Sequence, residues 1–169
     1  MARSETSLAG SVCLALVVSG VDYGGAVAEL LAPGGELGRI WTLSKPLTYR
    51  AIDALVSDGM ITRSGTAPGR GRERTLLQPT RAGRSATRRW LAEPVDHLRD
   101  VRTGLLLKFW ILEQMERPLL PLAIAQRERF APIVASIIGA TTTDVVSIWR
   151  REHAEAVMQF LDRVIGAGT

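Results

Sequence analysis

The sequence predicts a mainly α-helical protein that carries one small β-hairpin near its middle. Apolar residues recur at helical spacing through most of the 169 residues. A glycine- and arginine-rich stretch lies between two strand-like segments within 60–77. Apolar residues make up 46% of the chain, which is enough to build a packed core. These three observations favour a helical domain with a hairpin, followed by a second helical region.

Two helices are expected at the start of the chain. The first covers 7–19, with Ser7 as its N-cap, and its apolar residues lie on most faces, so it should be largely buried. The second is expected to be capped by Asp22 and to end before a Pro-Gly-Gly sequence. The pair Gly24-Gly25 weakens this helix by roughly 1 kcal/mol per glycine, but it could allow another backbone to pack closely.

A connector with a short strand at 40–41 leads to a third helix over 44–58. Ser44 is the predicted N-cap, and Pro46 falls in the first turn, where a missing N–H costs little. Gly59 is placed to end the helix.

The hairpin is expected from strands at 60–64 and 72–77, joined by "GTAPGRG". Arg70, Arg72 and Arg74 are spaced by two, so an extended segment points all three to one side. A phosphate-cradling loop is the alternative, but it needs glycines that lead into a helix, and these lie between strands. A disordered basic tract is less favoured because strand-like residues flank the loop on both sides.

The second half of the chain is predicted to be helical throughout. Thr80 should cap a helix that stops near Pro94, and 103–116 should form a strongly apolar helix. A further helix is expected to be bent or broken near Pro132.

A long amphipathic helix is expected to begin at Thr143 or Asp144 and to reach about Ile165. Its predicted seam alternates steps of three and four, the period of helix-on-helix packing. The seam residues are Val146, Trp149, His153, Val157, Phe160 and Val164. On this seam the histidine is expected to lie in the interior.

Positive charge is concentrated in one segment. Between Arg63 and Arg89 eight arginines face one acid, Glu73, a net charge of +7, whereas the whole chain carries only +4. Such a distribution is typical of a surface that binds a polyanion. A merely solvated face is the alternative.

Metal, cofactor and membrane chemistry have little support in the sequence. Cys13 is the one cysteine, and His97 and His153 are isolated, so we expect no metal and no cofactor. Cys13 is expected to be a small buried hydrophobe. No apolar run reaches the roughly 18 residues of a membrane-spanning helix, and no secretory signal is recognised, so we expect a cytoplasmic protein.

The order helix, helix, short strand, helix, strand, basic loop, strand is that of a winged helix-turn-helix, in which one helix enters the major groove and the wing grips the DNA backbone or minor groove. Arginine suits this work because its planar fork pairs with phosphate or a guanine edge.

The alternative for Tyr49 is that it covers the helix–wing junction, and for Lys45 and Arg50 that they are only solvated. Arg81, Arg84, Arg88 and Arg89 should form a general electrostatic fringe. The expected DNA contacts are Ser44, Lys45, Thr48, Tyr49, Arg50, Arg70, Arg72 and Arg74.

Three stretches resemble the PadR family of transcriptional regulators. "LSKPLTYRAIDALVSDGMI" is similar to the family's recognition helix, "LALVVSGVDYGGAVAELL" to its opening, and "RERTLLQPTRAGRSATRRWL" to its wing strand and following helix. "LRDVRTGLLLKFWILEQ" resembles the start of its dimerisation region. The chain departs from the family in reading Tyr23-Gly24-Gly25 where glycine usually precedes tyrosine, in reversing a common Thr-Leu order at Leu47-Thr48, and in lacking a tyrosine in the return strand.

The resemblance implies a DNA-binding domain over 1–93 and a helical dimerisation and effector domain over 94–169. It implies a homodimeric repressor that binds a two-fold-related operator in double-stranded DNA, in the cytoplasm of a bacterium and on its nucleoid, and is released by a small-molecule effector. It further implies an effector pocket that involves Phe109, Trp110 and Trp149, although tryptophans at helical spacing are more often core or interface anchors.

Two other classes of function are less compatible with the sequence. An enzyme is disfavoured because no Ser-His-Asp, Cys-His or paired-carboxylate spacing stands out. A winged-helix module for protein or RNA interaction is the alternative. A basic wing argues against the first of these partners, and the scarcity of stacking aromatics in the basic segment argues against the second.

Overall fold

The computed structural model describes residues 7–68, 73–141 and 144–167. Within these ranges the chain forms seven α-helices and one two-stranded antiparallel hairpin, which confirms the predicted fold class. The chain divides into two compact units, the first ending at Leu91 and the second beginning at Ala92. The elements are α1 (Leu8–Val18), α2 (Gly24–Leu31), α3 (Lys45–Ser57), β1 (Ile61–Ala67), β2 (Arg74–Pro79), α4 (Arg81–Ala92), α5 (Leu106–Gln114), α6 (Leu120–Ile138) and α7 (Val145–Ala167).

Helix α1 lies at the centre of the first unit. Ser7 caps it as predicted, because its Oγ accepts a hydrogen bond from the Gly10 N–H at 3.2 Å. Every residue from Gly10 to Val17 is buried, and α1 packs against α3 and β2. A helix that is apolar on all faces has no solvent side to display, so the other elements of the unit surround it.

Helix α2 is not capped by Asp22, and this prediction is wrong. The N-cap residue is Tyr23, whose side chain makes no capping hydrogen bond. Asp22 and Tyr23 are extended next to β2: the Leu77 N–H donates to the Asp22 carbonyl at 2.7 Å, and Tyr23 forms a bridge with Leu76. The backbone hydrogen bonds of the segment are therefore made to the hairpin, and helix α2 begins only after it.

The connector between α2 and α3 forms a single 3-10 turn at Leu37–Arg39, and the short strand predicted at 40–41 is absent. The N–H groups of Ile40 and Trp41 both donate to the Leu37 carbonyl at 2.9 Å. Leu37 is fully buried, so its side chain anchors the turn. Local hydrogen bonds thus replace the sheet pairing that a strand would need.

Helix α3 begins after Ser44 and has Pro46 in its first turn, as predicted. The Ser44 side chain makes no capping hydrogen bond, contrary to expectation. Its carbonyl accepts instead from the Thr48 N–H at 2.9 Å and from the Thr48 hydroxyl at 3.1 Å. Gly59 follows the helix with φ of 66°, a left-handed conformation that glycine adopts without strain, so it turns the chain into β1.

Both hairpin strands begin and end later in the chain than predicted, and β1 is also longer than the predicted 60–64. In the register Ile61 pairs with Pro79 and Ala67 pairs with Arg74. A β-bulge interrupts the register between Arg63 and Thr66, at the place where Gly65 has φ of 139°. Because a glycine can adopt this conformation, β1 continues beyond it. Arg70 and Arg72 lie outside the described residues.

Thr80 caps α4 and also ties it to the end of α3. Its Oγ1 accepts from the Gly83 N–H at 3.1 Å and is 2.8 Å from the Gly59 carbonyl oxygen, to which it donates. Gly83 is buried against the turn between α3 and β1, and a Cβ on it would lie 2.1 Å from the Met60 carbonyl oxygen. The junction between β2 and α4 therefore depends on the Thr80 hydroxyl and on the absence of a side chain at Gly83.

Thr80→Ala should lower the free energy of unfolding by about 1–2 kcal/mol, because it removes the cap and leaves its backbone partners unpaired. Thr80→Ser keeps the hydroxyl and should retain most of this stability. Urea denaturation followed by circular dichroism measures both variants. Equal losses in the two would show that the hydroxyl is not the stabilising group.

In the second unit, a π-type turn at Val101–Leu105 precedes α5, so the apolar helix starts later than the predicted 103–116. Helix α6 continues through Pro132, so of the two predicted alternatives, a bend or a break, the break is wrong. Pro132 is exposed, so water can hydrate the carbonyl that its missing N–H leaves free.

Helix α7 begins as predicted next to Asp144, whose Oδ1 accepts from the Val146 N–H at 3.0 Å and from the Ser147 N–H at 3.2 Å. These bonds and the Ser147 hydroxyl lower the pKa of the Asp144 carboxyl. The predicted seam is correct only in part. The helix buries Ala154, Val157 and Leu161, and of these only Val157 was predicted, whereas Val146 and Trp149 are exposed.

Two buried polar side chains hold the segment that opens the second unit. Lys108, only 4% exposed in the first turn of α5, donates to the Glu93 carbonyl. The fully buried Gln126 amide on α6 bonds both the N–H of Val95 at 2.7 Å and its carbonyl at 3.0 Å. The ammonium and the amide thus satisfy backbone groups at 93–95 that lie outside any helix or strand.

Burial lowers the pKa of Lys108 from 10.5 to about 8. The folded chain therefore releases this proton near pH 8, whereas the unfolded chain keeps it until near pH 10.5. Relative to a Lys108→Met variant, the wild-type free energy of unfolding should rise by up to about 3 kcal/mol between these pH values. Denaturant titrations of both proteins across the window measure the difference, and a pH-independent difference would contradict this expectation.

Candidate nucleic-acid interface

Helix α3 separates an inward face from an outward face. Thr48, Ile52 and Leu55 are buried and face the core of the first unit. Four of the predicted contact residues lie exposed around its start and outer side: Ser44, Lys45, Tyr49 and Arg50. The helix therefore presents a hydroxyl, a phenol and two cations to solvent, groups that can bind phosphate and base edges.

Thr48 is the exception among the predicted contacts, because its side chain is fully buried. Its hydroxyl donates to the Ser44 carbonyl and therefore stabilises the helix start. Leu47, which was not predicted, is 45% exposed on the same turn. The reversed Leu47-Thr48 order was the available signal, since it places the apolar side chain outside and the polar one inside.

A cleft of about 420 Å³ opens between the start of α2, the outer side of α3 and the hairpin. Its shape depends on the glycine pair. A Cβ at Gly24 would lie 3.0 Å from the ring of Tyr49, and one at Gly25 would lie 3.1 Å from the ring of Tyr23. The neighbours of the glycine pair are thus aromatic rings, and not the second backbone that the sequence suggested. The lining includes Tyr23, Lys45, Tyr49, Arg63, Glu73 and Arg74.

Positive charge dominates the cleft. The Arg74 guanidinium lies 4.4 Å above the ring centroid of Tyr23. Arg63 forms an ion pair with Asp53 on α3, which the sequence did not reveal. The side chains of Arg63 and Asp53 are both about half exposed or more, so the ion pair adds little stability, but it orients the arginine. Among the described residues that line the cleft, Arg74 and Lys45 then stand with the one carboxylate of Glu73.

Helix α4 carries four further arginines. The helix buries Gly83, Thr87 and Leu91 and leaves its arginines exposed. Arg89 donates to the hydroxyl of Ser85 one turn earlier at 3.0 Å. These side chains, Arg81, Arg84, Arg88 and Arg89, are placed as a solvated fringe.

The residues predicted for an effector pocket are placed differently from one another in the second unit. Phe109 and Trp110 are buried on α5, and the ring of Phe109 lies 6.1 Å from that of Phe160 on α7. Trp149 is 67% exposed and stacks on the half-buried His153, with ring centroids 5.7 Å apart. It lies eleven residues, or about 16 Å, before Phe160 on the same helix. Trp149 is therefore not brought to Phe109.

Among the described residues no group of three or more His, Cys, Asp or Glu side chains is placed to hold a metal ion. None of the described helices combines the length and apolar character needed to cross a bilayer. Cys13 is buried in α1, and burial raises the pKa of its thiol to about 12.

No protein-family model matches the chain, and no curated protein sequence matches it either. Among solved structures, the fold is similar to that of Bacillus subtilis PadR, a structure of that protein in complex with operator DNA. The two share 16% sequence identity, and the TM-score is 0.50. The alignment covers 95% of this chain and 99% of the other. At this identity the likeness establishes the fold: a winged helix-turn-helix followed by helices.

Proposed function

We propose that the chain is a sequence-specific DNA-binding transcriptional regulator of the PadR type. The observation that carries the proposal is the joint placement of the exposed Lys45 and Tyr49 of α3 and the hairpin residue Arg74 around one cleft. The positive charge of the chain is concentrated in the segment that contains this hairpin. A helix of this kind fits the major groove, and a hairpin at its side reaches the adjacent backbone. The likeness in fold to a PadR–operator complex supports the same reading.

Selection of bound duplexes from a random DNA pool tests the proposal directly. A specific regulator should enrich one sequence, and a homodimer should enrich it as two half-sites related by two-fold symmetry, about one helical turn apart. Enrichment of no sequence, with weak binding that salt abolishes, would leave only non-specific attraction. Binding of single-stranded RNA in preference to every duplex would contradict the proposal.

The homodimer is proposed on the apolar surface of the second unit. Four large apolar side chains at the start of α7 are more than half exposed: Val145, Val146, Ile148 and Trp149. Helix α6, which packs on α7, adds Ile133 and Ile138. A soluble monomer rarely leaves so large an apolar area in water, so a second copy of the chain is the proposed cover.

The double variant Val146→Lys and Trp149→Lys should give a monomer near 18.4 kDa by light scattering, whereas the wild type should show about twice this mass. Two lysines in each copy would have to be buried for the interface to form, at a cost it cannot recover. Gln159→Lys, on an exposed position of the same helix, is the control and should remain a dimer. A dimer that survives the double variant would place the interface elsewhere.

Repression, and release by a small molecule, complete the proposal. In a dimer, a ligand bound by the second unit can change DNA affinity only through a different affinity for two arrangements of the DNA-binding units. The buried Phe109 and Trp110 are the residues through which such a ligand would act on α5. The fluorescence of Trp110, compared with a Trp110→Phe variant, is the measurement that would report its binding.

A further inference from the structure

The segment before α2 fixes the position of one arginine in the cleft. Its backbone is paired with β2, through the bridge between Tyr23 and Leu76 and the 2.7 Å hydrogen bond from Leu77 to Asp22. The centroid of the Tyr23 ring lies 4.4 Å from the Arg74 guanidinium carbon. Arg74 is therefore held at both ends, at its backbone by the strand and at its head group by Tyr23.

An arginine whose guanidinium lies over the face of a ring is attracted by the ring's electrons and still has N–H groups available for hydrogen bonds to another partner. The Tyr49 ring lies against Gly24 in the same cleft, and Lys45 lines it as well. A fork of N–H donors, a phenol and an ammonium around one open space match the oxygen atoms of a phosphate group.

We propose that Tyr23 is a positioning residue that holds Arg74 over the cleft, and that the cleft binds one phosphate group. The proposal rests on the proposed function for the source of this phosphate, which is the DNA backbone. It explains the Tyr23-Gly24-Gly25 sequence. Tyrosine supplies the platform for Arg74, and the two glycines leave room for both rings.

Replacing Tyr23 with leucine tests the positioning role. Tyr23→Leu should weaken DNA binding about tenfold and reduce the slope of log K against log salt by roughly 0.9, the loss of one phosphate contact. Tyr23→Phe keeps the ring and should bind like the wild type. Unchanged affinity and slope in Tyr23→Leu would overturn the proposal.

Arg74→Lys addresses the case in which Tyr23→Leu does not fold. Lysine keeps the charge but lacks the planar fork, so affinity should fall severalfold while the salt slope stays the same. Wild-type affinity in this variant would show that charge alone matters and that the stacked geometry has no role.

The ring resonances of the chain's two tyrosines, Tyr23 and Tyr49, separate the possible sources of phosphate. In protein labelled only at tyrosine, a bound duplex should shift both rings, and high inorganic phosphate should shift the same resonances. A duplex that binds and leaves both rings unmoved would overturn the phosphate site. Shifts with inorganic phosphate, in a protein that binds no duplex, would keep the site and refute the proposed function.

A second inference comes from Leu47, which is 45% exposed at the start of α3 between flanking cations. Its exposed neighbours Lys45, Tyr49 and Arg50 are polar or charged. If α3 lies against DNA, Leu47 can make an apolar contact only with an apolar group of the DNA. In the major groove that group is the 5-methyl group of thymine. We infer that Leu47 reads a thymine, an assignment that also rests on the proposed function.

Exchange of thymine for uracil removes only this methyl group. In the selected duplex, one thymine of each half-site should be sensitive to the exchange, with about fourfold weaker binding to the wild type. The same exchange should have no effect on Leu47→Ala. Tight binding to the duplex without any sensitive thymine, or equal sensitivity in Leu47→Ala, would refute the assignment while leaving the regulator proposal intact.

Discussion

Replacing Arg70, Arg72 and Arg74 together with alanine should weaken DNA binding about a hundredfold near 0.15 M salt and reduce the salt slope by nearly three. Each arginine that contacts a phosphate releases roughly one counterion, so three lost contacts act on the slope as well as on affinity. The two-residue spacing predicts that all three lie on one side if the segment is extended, and of the three Arg74 is the one within the described residues. Fluorescence anisotropy with a labelled duplex at several salt concentrations measures both quantities.

The control is a triple variant with the same change of charge: Arg81, Arg84 and Arg88 of α4 replaced by alanine. These side chains are exposed, and we expect them to act only as a general electrostatic fringe. Their loss should therefore weaken binding less and change the slope by less than the hairpin variant does. If the two triple variants behave alike, the protein reads only total charge. If the hairpin variant keeps the wild-type slope, the hairpin is not at the DNA.

Gly83→Ala should destabilise the first unit by about 3 kcal/mol or more, although alanine is the better helix former by about 1 kcal/mol. The added Cβ would lie 2.1 Å from the Met60 carbonyl oxygen and 3.1 Å from a methyl group of Leu14. The first of these is a backbone atom, so relief requires α4 to move away from the end of α3. Urea denaturation measures the loss.

Gly34→Ala is the matched control, because no atom lies within 4 Å of the added Cβ. It should leave stability within about 0.5 kcal/mol of the wild type. A Gly83→Ala protein that is as stable as this control would mean that α4 can shift freely. In that case its arginines would not be held at a fixed distance from the hairpin.

The parts of the fold that depend on local chemistry were predictable from the sequence. Ser7, Thr80 and Asp144 each begin a helix because a short polar side chain accepts N–H bonds of the first turn, and neighbouring residues suffice to recognise this. Pro46 and Gly59 mark the two ends of α3 for equally local reasons.

The errors arose where a distant partner decides the structure. Asp22 has the right chemistry for a cap, but its carbonyl bonds to β2, more than fifty residues later. On α7 the apolar residues are too numerous to define one face, so helical spacing alone gave a seam that includes the exposed Val146 and Trp149. Lys108, a charge within an apolar helix, gave no sign that a carbonyl fifteen residues earlier would be its partner.

The candidate site shows the same division. Charge and spacing indicated which helix and hairpin carry the cations. They did not indicate that Arg74 lies over the Tyr23 ring, because α2, α3 and β1 come between these two residues in the chain. Nor did they indicate that Arg63 pairs with Asp53, because that contact depends on the geometry of the turn between α3 and β1. The inward position of Thr48 follows from how α3 packs on α1, and the reversed Leu47-Thr48 order was the one local signal of it.

The rate at which the buried Cys13 thiol is alkylated can report how often the first unit opens. Alkylating reagents attack the thiolate, and a thiol with a pKa of about 12 inside α1 supplies almost none at neutral pH. The chain has no other cysteine, so any label must come from molecules in which α1 has become accessible. The rate of labelling therefore counts opening events of the DNA-binding unit. A duplex that binds only the closed form should slow this rate in proportion to its occupancy.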